Sequence, residues 1–67
     1  MIRHIVSSSR IKSVGWQDDI LEIEFHNGKI YQYYHVSSTE YISFMNAPSL
    51  GHELSILDKK HPYLQIR

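Results

Sequence analysis

This sequence predicts an α+β fold, a three- to four-stranded antiparallel β-meander with one or two helices packed on one face, from three observations. Leu21-Glu22-Ile23-Glu24-Phe25 alternates strictly between apolar and polar, the period of a strand with one buried and one wet face. Asn27-Gly28 follows at once and leads into a β-branched and aromatic run from Lys29 to His35, so residues 20–36 read as a hairpin. Beyond the hairpin the apolar spacing lengthens to three and four, the period of helices. With 67 residues, 42% of them hydrophobic, the chain reads as one domain, residues 1–67, with a single modest core and little room for a deep pocket.

Met1 to Val6 is a short apolar run broken by Arg3 and His4, too short for the apolar region of a signal peptide. No stretch approaches the roughly 20 apolar residues that span a bilayer, so no membrane role is expected and a cytoplasmic location is the default. Ser7 to Ser9 read as polar caps and edge hydroxyls. Ile11 to Trp16 then forms a strand that ends at the polar turn Gln17-Asp18-Asp19. In the next strand the acidic side is expected to face water, with Glu22 and Glu24 as solvated charges that also discourage stray strand pairing.

The hairpin loop decides where the tyrosines go. A two-residue Asn27-Gly28 turn would pair Glu24 with Tyr31 and Glu22 with Tyr33, making the tyrosines a wet platform. A three-residue loop, His26-Asn27-Gly28 with Gly28 left-handed, would pair Phe25 with Lys29, Ile23 with Tyr31 and Leu21 with Tyr33. The second register is preferred, because a small domain needs its large aromatics inside, each burying on the order of 150–250 Å². It gathers Leu21, Ile23, Tyr31 and Tyr33 on one face and leaves Glu22, Glu24, Gln32 and Tyr34 on the other.

Ser37 and Glu40 have capping-box spacing and open a helix whose Tyr41, Phe44 and Met45 share one stripe. Asn46-Ala47-Pro48 closes it. Leu50, Leu54 and Leu57 mark a second helix with Lys59 and Lys60 in its last turn and Pro62 as its stop, although Gly51 weakens it. Tyr63 to Arg67 is either a short strand or a loose tail.

The order Ser8-Ser9-x-Ile11, Val14-Gly15-Trp16, Leu21-x-Ile23-x-Phe25, Gly28, Tyr31-x-Tyr33, Val36, Tyr41, Ala47 and Ser49-x-Gly51 resembles the KTSC domain, a bacterial and phage module also found at the C-terminus of some lysyl-tRNA synthetases. The family's central mark is the Tyr-x-Tyr pair. Two departures stand out: His52-Glu53-Leu54-Ser55 replaces an aromatic and an asparagine after Gly51, and His61 stands where a tyrosine usually precedes the late proline. The resemblance implies a role in binding RNA and no catalytic activity.

Residue chemistry narrows the rest. There is no cysteine, hence no disulfide, thiolate site or thiol nucleophile. Seven Lys plus Arg balance seven Asp plus Glu, so attraction to phosphate must come from local clustering. The five histidines contain no pair at i+2, i+3 or i+4, and neither a metal nor any other cofactor is expected. The serines lack a nucleophile elbow, and no glycine-rich phosphate loop exists, so an enzyme is not expected.

Two function classes survive. One is an RNA- or single-strand-binding module in which Trp16 and Tyr34 stack bases while Lys12, Lys29 and Arg10 meet phosphate; Leu21, Ile23, Phe25, Gly28, Tyr31, Tyr33, Tyr41 and Phe44 form core and turn. The other is a protein-interaction module, binding a protein partner or itself through an edge strand or aromatic patch.

Overall fold

The structure, a computed structural model, describes residues 1–67. Its elements are β1 (His4–Ile5), β2 (Ile11–Gln17), β3 (Ile20–Phe25), β4 (Ile30–Tyr33), α1 (Ser38–Met45), α2 (Leu50–Lys60) and β5 (Tyr63–Gln65). All five strands form one antiparallel sheet in the order β1-β2-β3-β4-β5, with both helices inserted between β4 and β5. The strand count therefore exceeds the three or four expected. Both termini add to the sheet, and strands of two and three residues are too short for an alternation pattern to declare itself.

The β3–β4 hairpin takes the bulged register. Leu21 pairs with Tyr33 and Ile23 with Tyr31, Phe25 N–H donates to Lys29 O (2.9 Å), and Gly28 has φ +90°. Its Gly28 N–H closes the turn onto Phe25 O (3.0 Å). The β2–β3 turn is the two-residue kind: Gln17 pairs with Ile20, and Asp18 and Asp19 both adopt positive φ.

A β-bulge separates Ile11 from Ser13. In an unbroken strand these two would share a face. The extra residue, Lys12, lets Ile11 and Val14 both enter the core while Ser13 turns to the opposite face. Gly15 is the next necessity, since a Cβ there would stand 2.5 Å from Ile2 O, where the N-terminal arm crosses the sheet.

One face of the sheet is closed by the helices. Ile11, Val14, Leu21, Ile23, Tyr33 and Val36 pack against Phe44 of α1 and Leu54 and Leu57 of α2 as one buried cluster. Trp16 and Tyr41 stack at its margin, 5.9 Å apart, and Trp16 Nε1–H donates to Val36 O (2.8 Å). Ser37 Oγ accepts Glu40 N–H and Ser49 Oγ accepts His52 N–H, so serines start both helices. The Glu40 carboxylate also lies 2.8 Å from His61 Nε2.

The other face is not the open, wet surface expected of it. Glu22 is only 6% exposed: Arg3 reaches over Gly15 to pair with it, and Gln32 Nε2 donates to its Oε1 (2.8 Å). Ser13 Oγ donates to Glu24 (2.8 Å), and Arg67 approaches the same carboxylate at 3.7 Å. Burial pushes the Glu22 carboxyl up, but the bonds from Gln32 and Arg3 and the Arg3 charge outweigh it and hold it below the usual carboxylate value. Glu24 is also held low, by the Ser13 bond first and then by Lys12, Arg3 and Arg67 against some desolvation. These two glutamates are structural partners of the N-terminal arm, not free surface charges.

Candidate functional site

At the hairpin-tip end of the helix-covered face, α2 leaves the sheet partly uncovered, and a cleft of about 500 Å³ opens there. Its wall is aromatic because β4 and β5 are in register. Tyr31 pairs with Gln65 and Tyr33 with Tyr63, which brings the Tyr63 ring across both tyrosines of β4. Tyr31 and Tyr63 stack at 5.4 Å with 15° between planes, and Phe25 meets the Tyr31 ring edge-on at 5.2 Å. Tyr63 is 50% exposed and lines the cleft.

Tyr33 forms the floor. Its phenol donates to Asp58 Oδ1 (2.6 Å) from α2, and burial, reinforced by that carboxylate, pushes the phenol far above its ordinary pKa. It stays a neutral donor at any physiological pH. Asp58 keeps a second carboxylate oxygen for a hydroxyl or amino donor in the cleft.

The rim is cationic. The Arg10 guanidinium lies 5.9 Å from the Phe25 ring centroid and donates to Gly51 O (3.1 Å) and Ser55 Oγ (3.3 Å) on α2. A Cβ on Gly51 would meet Arg10 Cδ at 3.3 Å, so the Ser49-x-Gly51 step seats the helix against this arginine. His26 Nε2 lies 2.8 Å from Ser8 O, and Ser8 Oγ accepts the amides of Arg10 and Ile11, which fixes the loop that carries the rim. Lys29 lines the cleft, exposed and without an ion-pair partner.

Of the five contact residues expected from sequence, the structure brings Arg10 and Lys29 together here. Trp16 sits at the far end of the β2–β3 hairpin with its ring and indole N–H engaged. Lys12 lies at the bulge, near Glu24. Tyr34 belongs to the outer face, where its phenol donates to Gln32 Oε1 (3.0 Å). Sequence reasoning missed Tyr63, Asp58 and the half-buried Tyr31 as cleft residues. No local signal pointed to Tyr63, since β5 is three residues long and its Tyr-Leu-Gln order does not alternate between apolar and polar. No three His, Asp or Glu side chains converge so as to hold a metal ion, and no helix is long and apolar enough to cross a membrane.

No curated protein matches the chain. Among solved structures, it is similar to the crystal structure of a KTSC domain protein from Yersinia pestis, at 37% identity and a TM-score of 0.88, covering 98% of this chain and 97% of that one. The KTSC domain itself matches residues 7–54, from the serine run that braces the cleft rim to the core leucine of α2. With the Tyr31-x-Tyr33 pair placed as wall and floor of the cleft, and the whole chain superimposing on that neighbour, the protein belongs to the KTSC domain family.

Proposed function

We propose that this domain binds single-stranded RNA, with the aromatic cleft as its contact site. The observation that carries the reading is the stacked Tyr31–Tyr63 pair, whose outer ring is half exposed and flanked by Arg10, Lys29 and His26. An exposed ring face takes a base at about 1–3 kcal/mol, and cations beside it meet the phosphates on either side. The zero net charge sets the expected strength: attraction is local, so affinity is micromolar or weaker at physiological salt.

The test is a salt titration of binding to a single-stranded RNA oligomer. Affinity falls steeply with salt, Tyr63→Ala weakens it by about tenfold or more, and Lys29→Glu lowers both affinity and salt slope. Absence of binding at low salt, or binding indifferent to both substitutions, overturns the proposal. A second reading, a protein-interaction module or homodimer, draws support from exposed Ile5 and Leu64 on the two edge strands and Ile66 just past the second. Sedimentation as a dimer that Leu64→Lys dissociates would put that reading first.

A further inference from the structure

His61 follows α2, and its imidazole lies between two acceptors. Nδ1 is 3.1 Å from Tyr34 O, and Nε2 is 2.8 Å from Glu40 Oε2. A carbonyl oxygen can only accept, so Nδ1 carries a hydrogen. In a neutral ring that would leave the Nε2 lone pair aimed at a carboxylate; the imidazolium donates to both. Glu40 is the ionised partner, since the His61 bond, against some desolvation, holds its carboxyl below the usual value. The His61 side chain is 9% exposed, so water has little room to replace either partner.

The charged groups around the ring are few. Glu40 comes from α1, Lys60 from α2 also acts on Glu40, and Glu53 of α2 shares their shallow groove. Just past β4 the ring meets the Tyr34 main chain, the Tyr34 phenol having turned to Gln32. The chain then enters β5, where Tyr34 N–H donates to Pro62 O (2.9 Å) and Tyr63 begins the strand.

We infer that His61 is a proton-dependent clasp: as imidazolium it pins the end of α2 and the start of β5 to Tyr34 and α1, and on losing its proton it loosens them. Tyr63, two residues on, is the outer wall of the cleft, so the clasp also regulates that site. This consequence rests on the RNA-binding reading of the cleft; the clasp itself does not.

Glu40→Gln supplies the test. Its amide nitrogen donates to a neutral Nε2, so the contact persists without the extra proton. Between pH 5.5 and 8.0 the melting temperature of the unaltered protein falls by about 5 °C, as loss of a bond worth about 1 kcal/mol does in so small a domain, whereas that of Glu40→Gln holds steady. The same slope in both proteins overturns the clasp. A second measurement needs no variant: the protection factor of the Tyr34 amide in the unaltered protein drops at least fivefold over the same range, and constant protection overturns the clasp equally. Affinity for the RNA oligomer, read in parallel, separates the two claims. A melting difference with equal affinity at both pH values overturns regulation of the cleft alone, and no RNA binding at either pH overturns the cleft reading alone.

Discussion

Strand β3 contributes to both faces of the sheet, and the two faces are held in different ways. On one, Leu21 and Ile23 join Tyr33 beneath two helices, and apolar area removed from water does the stabilising. On the other, Glu22 and Glu24 lie one residue away, with no helix over them; a single arginine from the N-terminal arm, a glutamine and a serine satisfy them. The covered face tolerates little change in volume, while the outer face depends on charge and on pH. The cleft occurs where the first kind of face runs out of helix, so aromatic rings selected for packing become available to a ligand.

The largest effect should come from the covered face. Tyr33→Ala removes a fully buried ring and orphans the Asp58 contact, and it should destabilise the domain by about 3–5 kcal/mol in a denaturant melt. A loss below about 1 kcal/mol would mean that the two faces do not differ as described. On the outer face, Arg3→Ala leaves Glu22 buried with Gln32 as its remaining partner, at a cost of about 1–3 kcal/mol. A change there as large as that of Tyr33→Ala would erase the contrast. Gly28→Val sharpens it from a third direction, because the register that sorts residues between the faces depends on φ +90° at that position. A left-handed β-branched residue costs roughly 1–2 kcal/mol, and amide shifts from Phe25 to Tyr31 should report the altered loop.

Acid should act on the outer face as well as on the Glu40 contact of the helix side. Glu22 and Glu24 have carboxyls held below their ordinary value of 4.5. Their contribution is therefore complete above that value and is lost as pH falls through the lowered ones. Melting temperature should decline below about pH 4.5, and Arg3→Ala should shrink that decline. An identical acid limb in both proteins would show that the arm does not hold the glutamates.

Much of this was readable from residue order, and the exceptions share a cause. The bulged loop follows from volume: Tyr31 and Tyr33 belong with Leu21 and Ile23, and Gly28 is the residue that permits it. The helices follow from Ser37 and the leucine spacing, while the Ser49 cap of α2 is seen only in the structure, and Gly51 does not break α2 because Arg10 packs against it. What local pattern could not reveal depends on partners distant in sequence. Arg3 buries Glu22 across 19 residues, and His61 meets Glu40 across 21. The bulge at Lys12 was hidden because its only sign is that Ile11 and Val14 both need the core. In the candidate site, Arg10 and Lys29 were legible as cations near the hairpin tip, while Tyr63 and Asp58 were not, since they arrive there only through β5 pairing and the packing of α2.

On the proposed reading, the binding surface is the uncovered end of the helix face and not the polar outer face. Amide chemical-shift mapping during titration with a single-stranded RNA oligomer at low salt tests this in one experiment. The perturbations should concentrate at Arg10, His26, Lys29, Tyr31 and Tyr63 and spare Ser13, Glu22, Gln32 and Leu64. Shifts centred on Gln32, Tyr34 and Leu64, or none at saturating RNA, would contradict it.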